Sequence, residues 1–545
     1  MNILRLLRTL RYLRPAQIYG RIWFRLYRPR IDTSPHPQLR SPIGAWAPVY
    51  WRRSSMISPG KFTFLNVTHE IQDADWDQPS WPKLWRYNLH YFDDLNAVGS
   101  NERKAWHQLT LENWIQDNPP GQGTGWEPYP TSLRIVNWIK WSLIGNPLSF
   151  QQRQSLAIQV RWLHGRLERH ILGNHLLANA KALVFAGVFF EGEEAQHWLN
   201  TGLRILGEQL DEQILADGGH FELSPMYQSI VIEDLLDLVH LSSIYEEDLP
   251  VNNWVALLPK MIGWLRVMTH PDGRISFFND AALKVAADIA VLEKYAASLN
   301  IKIVPTAMAP YLLLKDSGYL RSTLGPAVML VDIAPVGPSY LPAHGHADTL
   351  SFELSLFGRR LLVNSGTSCY GIGSERERQR GTAAHNTLLV DNSDSSEVWA
   401  GFRVGRRAEP KLLELAYVPN SQSVDALTVR GSHNGYMYLS GQPEHQRSWQ
   451  LSASDLLISD TVHGDVDSAQ ARYHLHPDWI VEMNGNLGVI KECDQIVVEI
   501  EVLRGRPHLE SGLYHPEFGV SIPNQCLCVD ADNNGQAEII FRWQS

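Results

Sequence analysis

His344 and His346 stand two residues apart, and His385 follows beyond a segment in which Phe352, Leu354 and Leu356 alternate with Ser351, Glu353 and Ser355. That alternation predicts a half-buried strand. On an extended backbone, positions i and i+2 point the same way, so His344 and His346 are expected to share a face, with His385 on a second strand. Imidazoles gathered in this way bind a metal or carry out acid–base chemistry.

A second set of polar and aromatic clusters lies earlier in the chain. One runs from Trp85 to Asp93 and includes Asn88 and His90. Another, with Trp126, Glu127 and Tyr129, runs into Arg134. The third is Gly173-Asn174-His175, and the fourth extends from Asp217 through Glu222 to Tyr227. Each is expected at or just before a helix start, where unsatisfied backbone N–H groups favour anions. Helix ends on one side of a helical barrel converge on a cleft. A cleft of Asn, His, Tyr and Arg with few carboxylates suits an acidic sugar better than a neutral one. Glycoside hydrolysis requires two opposed carboxylates, for which Glu127 and Glu222 are the candidates. Read singly, the same residues have plainer explanations. Asn174-His175 reads as a helix cap with a packed histidine, and Tyr227 as a core residue with its hydroxyl on backbone. Arg376, Arg378 and Arg380, alternating with Glu375 and Glu377, read as a solvated loop.

The elements that must position these residues fall into two regimes. From about 81 the pattern is helical, with runs near 131–141, 153–172, 176–190, 196–215, 229–246 and 254–269. Thr131 and Ser132 are capping candidates for the first of these. From about 318 it changes to short strands near 327–333, 350–357, 360–364, 386–391 and 411–416, with several more beyond 435 and turn residues between them. At 545 residues the chain is too long for one core. The expected division is a basic N-terminal segment and lead-in over 1–80, an all-α domain over 81–310 and an all-β sandwich over 311–545.

Charge is unevenly spread. The first 30 residues hold eight arginines and no acid, so a net charge of −10 for the whole leaves −18 on the remainder. Such a body does not draw nucleic acid, and an anionic ligand needs a local cationic cleft. Cys369, Cys493, Cys526 and Cys528 have neither zinc-finger nor CxxC spacing, and nothing in them demands an oxidising compartment. Arg5, Arg8, Arg11 and Arg14 break the apolar stripe of Ile3, Leu6, Leu7, Leu10 and Leu13, so the segment does not read as a secretory signal. It reads as a helix docked on the body by its leucines, or as a basic helix lying on an anionic membrane surface. A cytoplasmic or peripheral inner-membrane location is therefore expected, with the periplasm left open.

The motifs Gly173-Asn174-His175, Ser224-Pro225-Met226-Tyr227, His344-Gly345-His346-Ala347-Asp348 and Ala384-His385-Asn386-Thr387 resemble those of heparinase II/III-type polysaccharide lyases, most closely the members found in bacterial exopolysaccharide gene clusters. The resemblance covers nearly the whole chain. It implies an incomplete (α/α) toroid followed by an antiparallel β-sandwich, and β-elimination on a uronic-acid glycan. It gives Asn174 the task of neutralising the sugar carboxylate, with His175 or His344 assisting, and makes Tyr227 a proton acceptor or donor if a nearby cation lowers its phenol. Asn88, His90, Trp126, Tyr129, Arg134, Glu222 and Arg380 would bind substrate. One structural zinc would be held by His346, Asn364 and His385, with Asn364 standing where some members have Asp. Gln228 departs from the family, in which His is frequent after the tyrosine. The competing readings are a non-catalytic glycan-binding partner of a polysaccharide synthesis or export system, and a hydrolase on the same scaffold.

Overall fold

A computed structural model describes residues 3–71, 75–303, 309–419, 425–492 and 495–544. Cys493 lies outside them. The helical part is built from Lys83–Tyr91, Lys104–Asp117, Pro128–Leu143, Phe150–His164, Gly173–Phe189, Glu193–Gln213, Pro225–Ser242, Val251–Val267 and Ile289–Ser298. Neighbours such as Gly173–Phe189 and Glu193–Gln213 pack as hairpins, and tryptophans fill the space between helices. Trp85, Trp114, Trp138, Trp254 and Trp264 are essentially inaccessible, which makes them core rather than sugar platforms. The Trp114 ring lies edge-on to Trp138 with centroids 5.8 Å apart.

Two expected boundaries move. The run expected over 153–172 ends at His164, because Gly165 caps it and the turn that follows carries Glu168 inward. Thr131 and Ser132 sit inside their helix rather than at its cap, bonded to the carbonyls of Gly125 and Pro128.

Among the described residues every pair of strands in the β part is antiparallel, with one isolated parallel bridge between Gly366 and His515. A five-stranded sheet runs in the order Arg359–Leu362, Phe352–Leu356, Ala327–Asp332, Tyr319–Leu324, Tyr311–Leu314. An eight-stranded sheet from Pro410–Val418 to Ile480–Asn484 and a four-stranded sheet centred on Ala469–His474 and Ile522–Asp530 complete the sandwich. Leu354, Leu356, Trp449, Ile458, Ile539 and Phe541 share its core. The architecture is therefore the expected incomplete (α/α) toroid followed by an antiparallel β-sandwich.

The strand Phe352–Leu356 is buried on both faces, not half-buried as its alternation suggests. Its polar face is covered by the helical part. Glu353 pairs with His270 at 2.7 Å and takes the N–H of Asn364 at 2.9 Å, and Ser355 meets the other His270 nitrogen at 2.8 Å. Alternation records a polar face, and that face here is an interface rather than solvent. Among the described residues no helix is long and apolar enough to cross a membrane.

Candidate active site

A cleft of about 1490 Å³ opens between the two parts and is lined by Asn88, Tyr129, Asn174, His175, Glu222, Tyr227, His344 and Tyr370. Residues far apart in sequence meet here because helix starts deliver two of the motifs. Gly173 begins its helix at φ +58°, which places Asn174 and His175 in the first turn. Ser224 caps the helix that starts at Pro225, and its hydroxyl accepts the Tyr227 N–H at 3.4 Å.

Glu222 links the groups. One oxygen accepts the Asn174 N–H at 3.3 Å, and the other lies 3.4 Å from His344 Nε2. A Cβ on Gly173 would collide with the first oxygen, in a backbone region that L-residues rarely adopt. Gly173→Ala is accordingly expected to cost about 1–3 kcal/mol in strain and to push Glu222 out of place. Thermal melting and activity should fall together.

The Tyr227 ring lies on the His344 imidazole, with centroids 4.1 Å apart, and its hydroxyl meets that of Tyr370 at 3.1 Å. Burial, followed by Tyr370 and Asp280, pushes the Tyr227 phenol well above its ordinary value. The condition for a phenol that accepts a proton, a nearby cation lowering it, is therefore not met, and the raised phenol keeps its proton at neutral pH. His175 stacks on Tyr129 with centroids 4.3 Å apart, and its Nδ1 lies 3.1 Å from Glu168. Burial alone would lower His175, but the Glu168 carboxylate outweighs it and raises the imidazole. A cation is thereby favoured next to Asn174.

Behind His344 lies a buried charge cluster centred on Asp280. Its carboxylate receives Arg376 through both terminal nitrogens, His344 Nδ1 at 2.8 Å and His346 Nε2 at 2.9 Å. Burial opposes ionisation, yet Arg376 and the two histidines hold Asp280 well below the usual carboxylate range. Because a carboxylate only accepts, His344 donates from Nδ1 to Asp280, which leaves Nε2 on the Glu222 side, 3.4 Å from its second carboxylate oxygen. His344 and His346 do lie together, but on a loop and not a strand. His385 likewise sits just ahead of its strand, Leu388–Val390.

Four of the expected substrate ligands lie elsewhere. Arg134 is inside the helical core, where it donates to the carbonyls of His90 and Gly125 and to Gln159 and lies 3.9 Å over the Trp114 ring. His90 accepts from the Trp114 indole, and burial pushes it down to about 3. Trp126 donates its indole N–H to the Asn118 carbonyl. Arg380 holds the carbonyls of Gly345 and Gly401. Arg134, Trp126 and Arg380 satisfy backbone carbonyls and His90 a tryptophan indole, and none of the four lines the cleft.

Glu127 is tied to Lys83 and Tyr87 and does not line the cleft, so the carboxylate pair expected for hydrolysis is not assembled there. Gln228 bonds to the backbone of His220, Gly218 and Met261, so the departure at this position falls in a loop clasp rather than at the cleft. The run read as a solvated loop is a helix, Ser374–Arg380, that buries Arg376 and Arg380 and leaves Arg378 outside on Glu375. Sequence reading missed Tyr370, Asp280 and Glu168. Tyr370 stood within the histidine-rich stretch, but the other two carried no local signal.

His346 Nδ1, both His385 nitrogens and Asn364 Nδ2 are buried without partners. Ligand atoms of His346, Asp348 and His385 lie within 4.8 Å of one another. Two imidazoles and a carboxylate with orphaned nitrogens form a donor set suited to zinc. Asp348 supplies the carboxylate that Asn364 lacks, while Asn364 Oδ1 is engaged by the Asn386 N–H at 3.3 Å.

The two-part architecture, with the cleft motifs in that order, is matched by two family profiles. "Heparinase II/III N-terminus" covers residues 62–301, and "Heparinase II/III-like, C-terminal" covers 307–543. The chain belongs to the heparinase II/III family. This family member is 29% identical over 343 residues to a heparin-sulfate lyase of Pedobacter heparinus, covering 58% of the chain and 49% of the relative. It is 24% identical over 444 residues to FtsZ-localized protein C of Caulobacter vibrioides, covering 74% and 72%. The heparin-sulfate lyases that it matches are spanned over about half their length. A crystal structure of heparinase III shares the fold with TM-score 0.70 at 19% identity, covering 86% of this chain and 79% of that one.

Proposed function

We propose that this heparinase II/III family member is a polysaccharide lyase that cleaves a uronic-acid glycan by β-elimination. The observation that carries this reading is the convergence of Asn174, His175, Tyr227 and His344 on one cleft, with the protonated form of the His175 imidazole favoured by Glu168. The C5 proton of a uronate is too weakly acidic to remove while the carboxylate keeps its full charge. The Asn174 amide and the His175 imidazolium take up the charge that develops on that carboxylate, as an oxyanion hole does. His344 Nε2 accepts the C5 proton. The Tyr227 phenol gives its proton to the departing O4, so that the C4–O bond breaks, a C4=C5 bond forms and the new chain end is a neutral hydroxyl. Support also comes from the named activities of the heparin-sulfate lyase relatives. Far-ultraviolet absorbance with a panel of uronate polysaccharides tests the reading. A rise from the conjugated 4,5-unsaturated product supports it, and a flat trace with binding by calorimetry replaces it with a glycan-binding module.

The pH dependence has a defined sign. Because Glu168 raises His175, the imidazolium persists upward in pH and is lost as pH climbs through the raised value. Activity should therefore fall on the alkaline side. Glu168→Gln should move that limb to lower pH, as read from kcat/KM against pH.

We further propose one structural zinc held by His346, Asp348 and His385, with Asn364 beside them. The ion would supply fixed positive charge that ties the His344–Asp348 loop to the sandwich, and the proton transfers would remain with the protein's side chains. Metal analysis of the purified protein and a lowered melting temperature in chelator check this. Metal-free protein that melts unchanged would remove it.

A further inference from the structure

The N-terminal helices face the opposite way from a docked amphipathic helix. On Ile3–Leu10 the basic residues turn inward. Arg8 Nε lies 2.8 Å and Arg5 Nε 3.2 Å from the Glu397 carboxylate, and Thr9 accepts the Trp399 indole N–H at 3.1 Å. Ile3 and Leu7 project into solvent, 70% and 56% exposed. On Pro15–Leu26 the docked face is Gln17, Gly20 and Phe24. Gln17 donates to the Tyr340 carbonyl at 3.2 Å, Gly20 backs against His170, and the Phe24 ring lies 4.2 Å from His170. At helical spacing the opposite face presents Ile18, Tyr19, Ile22, Trp23 and Leu26, the last two 63% and 79% exposed. Of the apolar stripe, Leu6 and Leu13 are half-buried while Ile3, Leu7 and Leu10 are exposed, so docking by the leucines holds only in part, and an exposed apolar face spans both helices.

This apolar face is surrounded by cations. Arg25, Arg28 and Arg30 are exposed, and among the described residues none of them forms an ion pair. The first 30 residues carry +8, of which Arg5, Arg8 and Arg14 are paired with Glu397 and Glu212, whereas the remainder carries −18. A negatively charged surface therefore attracts this end and repels the rest, which orients the molecule. A soluble acidic glycan would engage the arginines but offers nothing to Trp23 and Leu26. Apolar side chains with interfacial aromatics, flanked by arginines, match the headgroup boundary of an anionic bilayer.

We propose that the helices Ile3–Leu10 and Pro15–Leu26 form a docking face for an anionic lipid surface. Leu6, Leu10, Leu13 and Arg21 also border the cleft, so docking places the cleft mouth beside that surface. Flotation of the full-length protein with vesicles tests this independently of any catalytic activity. The protein should float with phosphatidylcholine vesicles containing phosphatidylglycerol and remain below with phosphatidylcholine alone. The triple variant Ile22→Ser, Trp23→Ser, Leu26→Ser, and separately the pair Arg25→Glu, Arg28→Glu, should each weaken binding about tenfold or more. Circular dichroism confirms that each variant is folded. Three results would overturn the proposal. The first is failure of the wild type to float with anionic vesicles. The second is flotation unaffected by either variant. The third is a wild-type dimer by light scattering that the triple variant converts to monomer, which would assign the face to a second copy.

Discussion

Tyr227→Phe is expected to reduce turnover by about 10²–10⁴-fold while leaving glycan affinity intact. The substitution removes one oxygen and nothing else. The ring remains against His344 at its 4.1 Å spacing, and the backbone stays in the Ser224-capped helix start. Under the proposed mechanism, what disappears is the proton for the leaving O4, together with a hydroxyl contact to Tyr370 of about 0.5–1.5 kcal/mol. Tyr370→Phe removes the same contact but keeps the donor, so its loss of rate should be much smaller. Single-turnover rates with parallel calorimetry separate the two variants. Full activity in Tyr227→Phe would exclude the phenol as proton donor.

Asp280→Ala is expected to cost about 3–5 kcal/mol of stability and to abolish activity. Arg376 is 1% exposed, and without its carboxylate it becomes an uncompensated buried cation. Two imidazoles lose their acceptor in the same step, and the His344 ring is no longer held through Nδ1. Asp280→Leu combined with Arg376→Met should recover much of the stability, because replacing a buried ion pair by apolar groups of similar volume is often neutral. It should recover no activity, since His344 still lacks its partner. Chemical denaturation of the single and double variants measures the first effect, and turnover measures the second. Parallel recovery of both would mean that Asp280 serves only the fold.

Much of the molecule was legible in local pattern. Helical periodicity and the change to short strands separated the two parts, and the strand at Phe352–Leu356 was placed by alternation alone. Glycine, proline and capping residues marked the helix starts that carry Asn174, His175 and Tyr227, and the three residues do line one cleft with His344. These features are short-range, because backbone propensity and turn chemistry act within a few residues.

Tertiary structure decided which polar residues face the cleft and which serve the core. Arg134, His90, Trp126 and Arg380 have the types expected of a sugar site, yet three of them satisfy backbone carbonyls and His90 accepts the Trp114 indole N–H inside the protein. Asp280 and Arg376 are 96 positions apart, and Arg376 reads locally as part of a solvated charge run. The N-terminal arginines and leucines predict an amphipathic helix in either orientation, and Glu397 and Glu212 from distant parts of the chain turn Arg5, Arg8 and Arg14 inward. Burial of a charge depends on a partner supplied by distant chain. The amino-acid sequence by itself therefore determined the architecture and the motifs that meet at the cleft, while the packed fold determined which groups surround and support them and the outward apolar face.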